Sequence, residues 1–109
     1  MMWQQLTIYI SESDRWHNEP LYIALIELAR KHGLAQGTAM RAMAGYGKYI
    51  TIQTTHFLDL SSNLPVVVSI IDREEAISEF LPLVREMVKN GLITLQPLEI
   101  LHYAPILED

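Results

Sequence analysis

The sequence predicts an α+β domain in which an antiparallel sheet carries two helices on one face. Three observations lead to this fold class. The first two are that some segments alternate apolar side chains as strands do, and that two others space them as helices do. The third is their order, strand–helix–strand–strand–helix–strand, which is typical of the ferredoxin-like, or split βαβ, arrangement. A chain of 109 residues has the commonest size of one domain, so we expect residues 1–109 to form a single unit.

The composition indicates a folded protein that does not bind nucleic acid. Hydrophobic residues make up 50% of the chain, enough to bury a core. The net charge is −5 and the 8 Lys and Arg residues are scattered, whereas nucleic-acid binding needs a basic stripe. The chain has no cysteine, which fits a reducing compartment. Because it also shows no signal-peptide pattern and no run long enough to span a bilayer, we expect a cytoplasmic protein.

The first half predicts one strand and one helix. Leu6–Ile10 alternates at period two, with Leu6, Ile8 and Ile10 on the core face. The polar residues 11–18 then form a loop, and Pro20 suits the first turn of a helix. That helix ends before Gly33, after basic residues that complement its dipole. Its apolar face consists of Leu21, Ala24, Leu25 and Leu28.

A second strand and a long connection follow. Gly37–Ala44 lies between turn glycines and has the length of a central strand, although its alanines have weak strand propensity. From Gly45 to Leu64 no helical pattern is sustained. Connections of that length in a small domain are commonly functional or disordered.

The last part predicts a strand, a helix and a final strand region. Pro65–Ile71 is rich in β-branched residues and suits a strand covered on both faces. Asp72 is then the expected N-cap of helix two, with Glu75 as its capping-box partner. Pro82 is expected to kink this helix near residues 77–78, and Pro97 to split or bend the strand region 92–103. The helix has one apolar stripe, Ile77, Phe80, Leu81, Val84, Met87 and Val88.

With both helices on one face, the opposite face of the sheet is open. We place there Tyr9, Val67, Ile71, Leu101 and Tyr103, among Thr7, Ser69 and Glu99. Such a surface is too apolar to remain solvated in a monomer. Oligomerisation is the simplest explanation.

Several short motifs, in this order, resemble one known family. They are Arg41 before Gly45-Tyr46-Gly47, Leu58-Asp59-Leu60-Ser61, Leu64-Pro65-Val66-Val67-Val68 with Asp72, and Phe80-Leu81-Pro82 before Asn90-Gly91-Leu92. Through these motifs the chain resembles the PII-like family catalogued as domain of unknown function 190. That resemblance implies a ferredoxin-like subunit, commonly trimeric, with a nucleotide held in the cleft between subunits.

The resemblance also implies a set of ligand-binding residues. The glycine pair at the base of a mobile loop corresponds to Gly45 and Gly47, with Tyr46 and Lys48 beside them as further ligand-binding candidates. The turn before the last strand corresponds to Lys89 and Gly91. Gly37 resembles a glycine that opens the second strand, and Arg41 is a further candidate. No Lys or Arg follows Lys89, so few charges are available for a triphosphate. We therefore expect AMP or ADP rather than ATP, and no other cofactor.

Simpler structural interpretations of these motifs remain open. Gly45-Tyr46-Gly47-Lys48 lacks the spacing of a Walker loop, and its glycines would serve a turn with positive φ as well as a close approach by ligand. Arg41 is hard to bury alone, so it faces an interface, pairs with a carboxylate or holds an anion. The four histidines show no metal spacing. His56 is the one histidine that we place in a partner-contacting loop.

Three functions follow from these interpretations. In the first, a regulatory module binds a small effector and uses loop 47–63 to dock on a regulated partner, for which the resemblance favours a membrane transporter. The second is a small enzyme on the same fold, although no nucleophile and base are paired in the pattern. The third is a purely structural oligomer. We expect a regulator and not an enzyme.

Overall fold

The computed structural model describes residues 2–50 and 63–107. The elements are β1 (Trp3–Ser11), β2 (Arg15–Trp16), β3 (Glu19–Pro20), α1 (Leu21–Lys31), β4 (Gln36–Arg41), β5 (Pro65–Arg73), α2 (Glu74–Met87) and β6 (Leu92–Leu98). His56 and most of the predicted loop 47–63 lie outside the described residues.

The main sheet confirms the predicted fold class. Its strand order is β4-β5-β1-β6, and every neighbouring pair is antiparallel. Both helices pack on the same face, where the even-numbered side chains of β1 and β5 form the core with them. Leu6, Ile8 and Ile10 are fully buried there, as their alternation predicted. This is the ferredoxin-like arrangement.

Residues 11–20 form a small hairpin that the sequence did not predict. β2 and β3 pair through a two-residue turn at His17 and Asn18, whose φ angles are 47° and 70°. Two consecutive positive φ values are the geometry of a tight hairpin turn. Asn suits this geometry, but His-Asn is a weaker sequence signal than Asn-Gly.

The start of each helix differs from the prediction by one residue. Pro20 occupies the N-cap position of α1 and not its first turn. Asp72 is not the N-cap of α2, because β5 continues through Arg73, which takes that position. The Asp72 carboxylate instead accepts a hydrogen bond of 2.8 Å from the backbone N–H of Ala35, just before β4. α2 continues through Pro82 as one helix.

The two outer strands are shorter than the sequence predicted. β4 spans Gln36–Arg41 and not Gly37–Ala44. β6 includes Pro97 but ends at Leu98, opposite Trp3, because β1 offers no residue beyond Trp3 for pairing. Pro97 is tolerated because β6 is an edge strand. Glu99, Leu101 and Tyr103 therefore lie beyond the sheet, although the Tyr103 ring still contacts that of Trp3.

The open face is banded and not uniformly apolar, which corrects the predicted surface. Strand register aligns its side chains in rows that cross all four strands. The apolar row, at one end, consists of Met40, Val67, Tyr9 and Leu92. The hydroxyl row beside it consists of Thr38, Ser69, Thr7 and Thr94. Two glutamines of the next row, Gln5 and Gln36, donate hydrogen bonds to Thr7 and Thr38.

Candidate functional site

An open cleft of about 720 Å³ lies where two turns meet the end of β1. The first turn follows β4 and the second joins α2 to β6. The lining residues are Tyr9, Tyr46, Gly47, Lys48, Tyr49, Lys89, Asn90, Gly91 and Leu92. Five of the residues predicted to bind ligand are therefore brought together here, namely Tyr46, Gly47, Lys48, Lys89 and Gly91. The volume lies within the range of small-molecule sites.

The first wall is a tight turn built on Gly47. The backbone N–H of Ile50 donates to the carbonyl of Gly47 over 3.0 Å. The Tyr49 ring folds back over the glycine, so that a Cβ at position 47 would overlap a carbon of this ring. Neither Gly45 nor Gly47 has a positive φ, so the predicted use of these glycines for positive φ is wrong. At Gly47 the missing side chain instead leaves room for the Tyr49 ring.

The second wall is held against β1 by Gly91. A Cβ at this position would lie 2.9 Å from the backbone oxygen of Tyr9 and 2.8 Å from a methyl carbon of Val88. Backbone cannot give way as a side-chain tip can, so only glycine fits without a shift. This approach brings the neighbouring Lys89 and Asn90 to the same cleft as Lys48.

The cleft has a local positive charge on an acidic chain. Lys48 and Lys89 supply two ammonium groups, and no carboxylate is among the described residues that line it. Asn90 adds an amide that can donate or accept. Such a site suits an anion whose charge two lysines can offset.

Three tyrosines supply flat apolar surface and phenol hydroxyls to the cleft. Tyr46 is 85% exposed, whereas Tyr9 and Tyr49 are partly buried. Burial raises the pKa of Tyr49 above its ordinary 10.0, and the nearby phenol of Tyr9 raises it further. The hydroxyl of Tyr49 therefore stays protonated at neutral pH and can donate a hydrogen bond.

The other three predicted binding residues lie away from the lining of this cleft. Gly37 sits beneath α1, where a Cβ would meet methyl carbons of Ile70 and Ile26 at 3.3 and 3.4 Å. Gly45 packs near the Pro65 ring. Arg41 forms an ion pair with Glu12, with 2.9 Å between its Nε and the carboxylate. Of the roles considered for Arg41, the structure therefore shows the carboxylate pair.

Sequence reasoning missed Tyr9, Tyr49, Asn90 and Leu92 as cleft residues. Tyr9 belongs to a strand far away in sequence, and only the antiparallel pairing of β1 with β6 places it opposite Leu92. Tyr49 and Asn90 are direct neighbours of Lys48 and Lys89. Their nearness to charged turn residues was the signal that could have found them.

Neither a metal cluster nor a membrane span is found in residues 2–50 and 63–107. No three histidine, aspartate or glutamate side chains of this part converge as metal ligands. Within the same residues, no helix is long and apolar enough to cross a membrane.

Comparison with known proteins gives the family. The model of domain of unknown function 190, described as "Uncharacterized ACR, COG1993", matches residues 3–100. The chain belongs to this family. It is 43% identical over 97 residues to a UPF0166 protein of Aquifex aeolicus (strain VF5), covering 89% of this chain and 91% of that protein. A UPF0166 protein of Methanocaldococcus jannaschii is 35% identical over 89 residues, with coverages of 81% and 82%.

Solved structures of similar fold are nitrogen regulatory PII-like proteins. CPII from Thiomonas intermedia K12, bound to ADP, AMP and acetate, superposes with a TM-score of 0.59 at 12% identity, covering 91% of this chain and 88% of that one. The same protein bound to ADP and bicarbonate gives a TM-score of 0.55 at 15% identity, with coverages of 92% and 89%. The fold of this chain is PII-like, as its motifs predicted.

Proposed function

We propose that this chain is a PII-like regulatory subunit that binds a small adenine nucleotide in the cleft between Gly47 and Gly91. The observation that carries this proposal is the convergence of Lys48 and Lys89 on a tyrosine-lined cleft whose walls include two glycines. The lysines offset phosphate charge, the glycines let the two walls pack closely so that both lysines reach the cleft, and the aromatic rings offer a surface for a base.

The charge of the cleft favours AMP or ADP over ATP. Two ammonium groups nearly balance a monophosphate or diphosphate, whereas a triphosphate leaves negative charge uncompensated on a chain whose net charge is already −5. Structures of similar fold have been solved with ADP and AMP bound to CPII. That finding supports the choice of nucleotide class for this chain.

We further propose that the subunit works as a homo-oligomer, with a trimer as the first assembly to test. We also propose that residues 47–63 contact a regulated partner. The apolar row supports assembly, because Met40 and Leu92 are 59% and 50% exposed in the single chain. The row shares Tyr9 and Leu92 with the cleft. A second subunit covering the row would therefore border the ligand. A transporter is the first partner to test, with His56 as the first loop residue to change.

We propose that the function is ligand binding and not catalytic turnover. The cleft offers lysines, phenols, an amide and glycine backbone, and among its described lining residues there is no histidine, carboxylate or serine to act as a paired base and nucleophile. A small enzyme and a purely structural oligomer are the alternatives that the experiment must separate.

Calorimetry and thermal unfolding with AMP, ADP and ATP test the proposal. Ligand at about 100 times its Kd stabilises the bound state by about 2.7 kcal/mol, which raises the Tm by roughly 10 °C or more. We expect AMP or ADP to bind more tightly than ATP. If none of the three nucleotides stabilises the chain, the result favours a purely structural oligomer. If the chain hydrolyses a nucleotide and the hydrolysis depends on Lys48, the result favours an enzyme.

A matched lysine substitution identifies the site. Lys48→Gln and Lys89→Gln each remove one cleft charge, and we expect each to weaken nucleotide binding about tenfold, which corresponds to about 1.4 kcal/mol. Lys31→Gln is the control, because Lys31 lies on α1 beside Trp16 and not in the cleft. Equal losses from all three substitutions would contradict the site, since they would reflect only the net charge.

A further inference from the structure

A groove of about 300 Å³ lies where α1 and α2 meet the β2–β3 hairpin, and we refer to it as the helix groove. It shares no described lining residue with the cleft between Gly47 and Gly91. Its volume is at the lower limit of small-molecule sites, so it suits a small occupant. The apolar residues that line it, each buried or packed against the core, are Trp16, Ala24, Leu28, Leu83 and Met87.

The aromatic side of the helix groove is held in place by the hairpin. The turn at His17 and Asn18 folds β2 back on β3, and the His17 ring stacks on the Trp16 ring. The two ring centroids are 4.3 Å apart and the planes differ by 14°. Stacking of this kind favours a defined geometry, and Trp16 also packs against the core. The indole ring is therefore positioned without the help of a ligand.

The charged residues of the helix groove are mostly acidic. Its described lining includes the carboxylates of Glu19, Glu27 and Glu86 and the ammonium group of Lys31. Lys31 follows Glu27 by about one helical turn and can offset only one of the three negative charges. Within residues 2–50 and 63–107, none of these four side chains forms an ion pair. Negative charge is thus in excess beside an apolar, aromatic surface, the reverse of the charge in the cleft.

This combination selects one class of occupant. An anion such as a nucleotide is repelled by the excess of carboxylates. A bare metal ion is not favoured, because no three histidine, aspartate or glutamate side chains of the described residues converge as metal ligands, and a hydrated ion gains nothing from apolar contact. An organic cation gains from both parts of the lining, since carboxylates and the face of a tryptophan ring both attract an ammonium group.

We propose that the helix groove binds a small organic amine, in which a cationic amino group is carried on an apolar body. The body lies against Trp16, Leu28 and Leu83, and the amino group lies near the carboxylates of Glu27 and Glu86. This site is a second ligand site that does not depend on nucleotide binding, because the helix groove and the cleft have no described lining residue in common.

Phenethylamine and phenylacetate, which share a phenyl ring and carry opposite charges, test the inference. The chain has 2 tryptophans, so Trp3→Phe leaves Trp16 as the only one, and its fluorescence reports on the helix groove. We expect phenethylamine to change this fluorescence saturably, with a Kd about tenfold or more below that of phenylacetate. Calorimetry of phenethylamine on the unsubstituted chain should give the same Kd. Equal Kd values for the two probes, or no saturation by phenethylamine, overturn the inference.

Charge substitutions of opposite sign locate the site. Glu27→Gln and Glu86→Gln should each raise the Kd for phenethylamine about tenfold, whereas Lys31→Gln removes the competing ammonium group and should lower the Kd. Glu79→Gln is the matched control, because Glu79 is exposed on α2 and does not line the helix groove. An equal loss of affinity with Glu79→Gln would reflect only net charge and would overturn the inference.

The same titrations separate this inference from the proposed function. A chain that binds phenethylamine at Trp16 and binds none of AMP, ADP and ATP supports the helix groove and overturns the nucleotide cleft. A chain that binds nucleotide and leaves the Trp16 fluorescence unchanged by phenethylamine supports the cleft and overturns the helix groove.

Discussion

The carboxylate of Glu12 joins Arg41 to Leu64. Its Oε2 lies 2.9 Å from Nε of Arg41, where β4 ends. Its Oε1 accepts a hydrogen bond of 3.0 Å from the backbone N–H of Leu64, just before β5. The Glu12 N–H in turn donates to the Leu64 carbonyl over 3.0 Å. One residue thus ties both ends of the segment 42–63 to the fold.

Replacing Glu12 should loosen that tie in a graded way. Glu12→Ala removes the acceptor of the Leu64 N–H and should lower the free energy of unfolding by about 1–2 kcal/mol. Glu12→Gln keeps an oxygen for Leu64 and loses only the ion pair with Arg41, whose side chain is 56% exposed, so its cost should be below about 1 kcal/mol. Urea unfolding measures both. Equal costs would show that the Leu64 hydrogen bond contributes nothing.

Gly91→Ala should be more costly than Gly47→Ala. The added methyl at position 91 meets the backbone of β1 at Tyr9, and such overpacking typically costs about 1–3 kcal/mol. At position 47 the methyl meets the end of the Tyr49 side chain, which can move aside, so the cost should stay below about 1 kcal/mol. Urea unfolding compares the two variants. The opposite order would mean that the Gly91 turn adapts more easily than the Tyr49 ring.

Stability should fall at alkaline pH, in part through Tyr49. Burial, followed by the charge of Tyr9, raises the pKa of Tyr49 above 10.0 in the fold. The unfolded chain therefore loses this proton at lower pH than the folded chain, and the contribution of Tyr49 is complete below pH 10 and is lost above it. Tyr49→Phe should flatten the decline in urea midpoint between about pH 9 and 11. Tyr46→Phe, at a residue that is 85% exposed, should flatten it less.

Pro82→Ala should stabilise the chain. Pro82 is exposed inside α2, which continues from Glu74 to Met87. Alanine restores the missing N–H donor to the helix, and an interior proline costs about 3 kcal/mol relative to alanine. Since the fold already accommodates the ring, we expect a gain of about 1–3 kcal/mol in the free energy of unfolding. Glu79→Ala, an exposed control on the same helix, should change it by less than about 0.5 kcal/mol. A loss at Pro82 would show that the packing of α2 depends on proline.

Local patterns were sufficient for the elements that have one apolar face. The alternation at Leu6, Ile8 and Ile10 and the helical spacing at Leu21, Ala24 and Leu25 depend only on neighbours along the chain, and all six are buried as predicted. Element ends were predicted less well, because they depend on partners. β6 stops at Leu98 since β1 begins at Trp3, and no local feature of residues 99–103 carries that information.

Only some of the cleft residues were predicted, for the same reason. Lys48 and Lys89 were found through motifs of neighbouring residues, whereas Tyr9 reaches the cleft only through strand pairing with Leu92. Gly37 and Arg41 lie one and five residues into β4 and so belong to the sheet and not to the cleft. The banding of the open face was equally hidden, because a row that crosses four strands depends on three registers at once.

The hydroxyl row governs how reversible any contact on the open face can be. The hydroxyls of Thr38, Ser69 and Thr94 are partly or fully exposed, and they form hydrogen bonds as readily with water as with another protein surface, so the net gain on exchanging one for the other is small. A partner that covers the face gains its binding energy at the apolar end and little along this central band. Before any partner binds, water therefore hydrates this band, which limits non-specific aggregation through the open face.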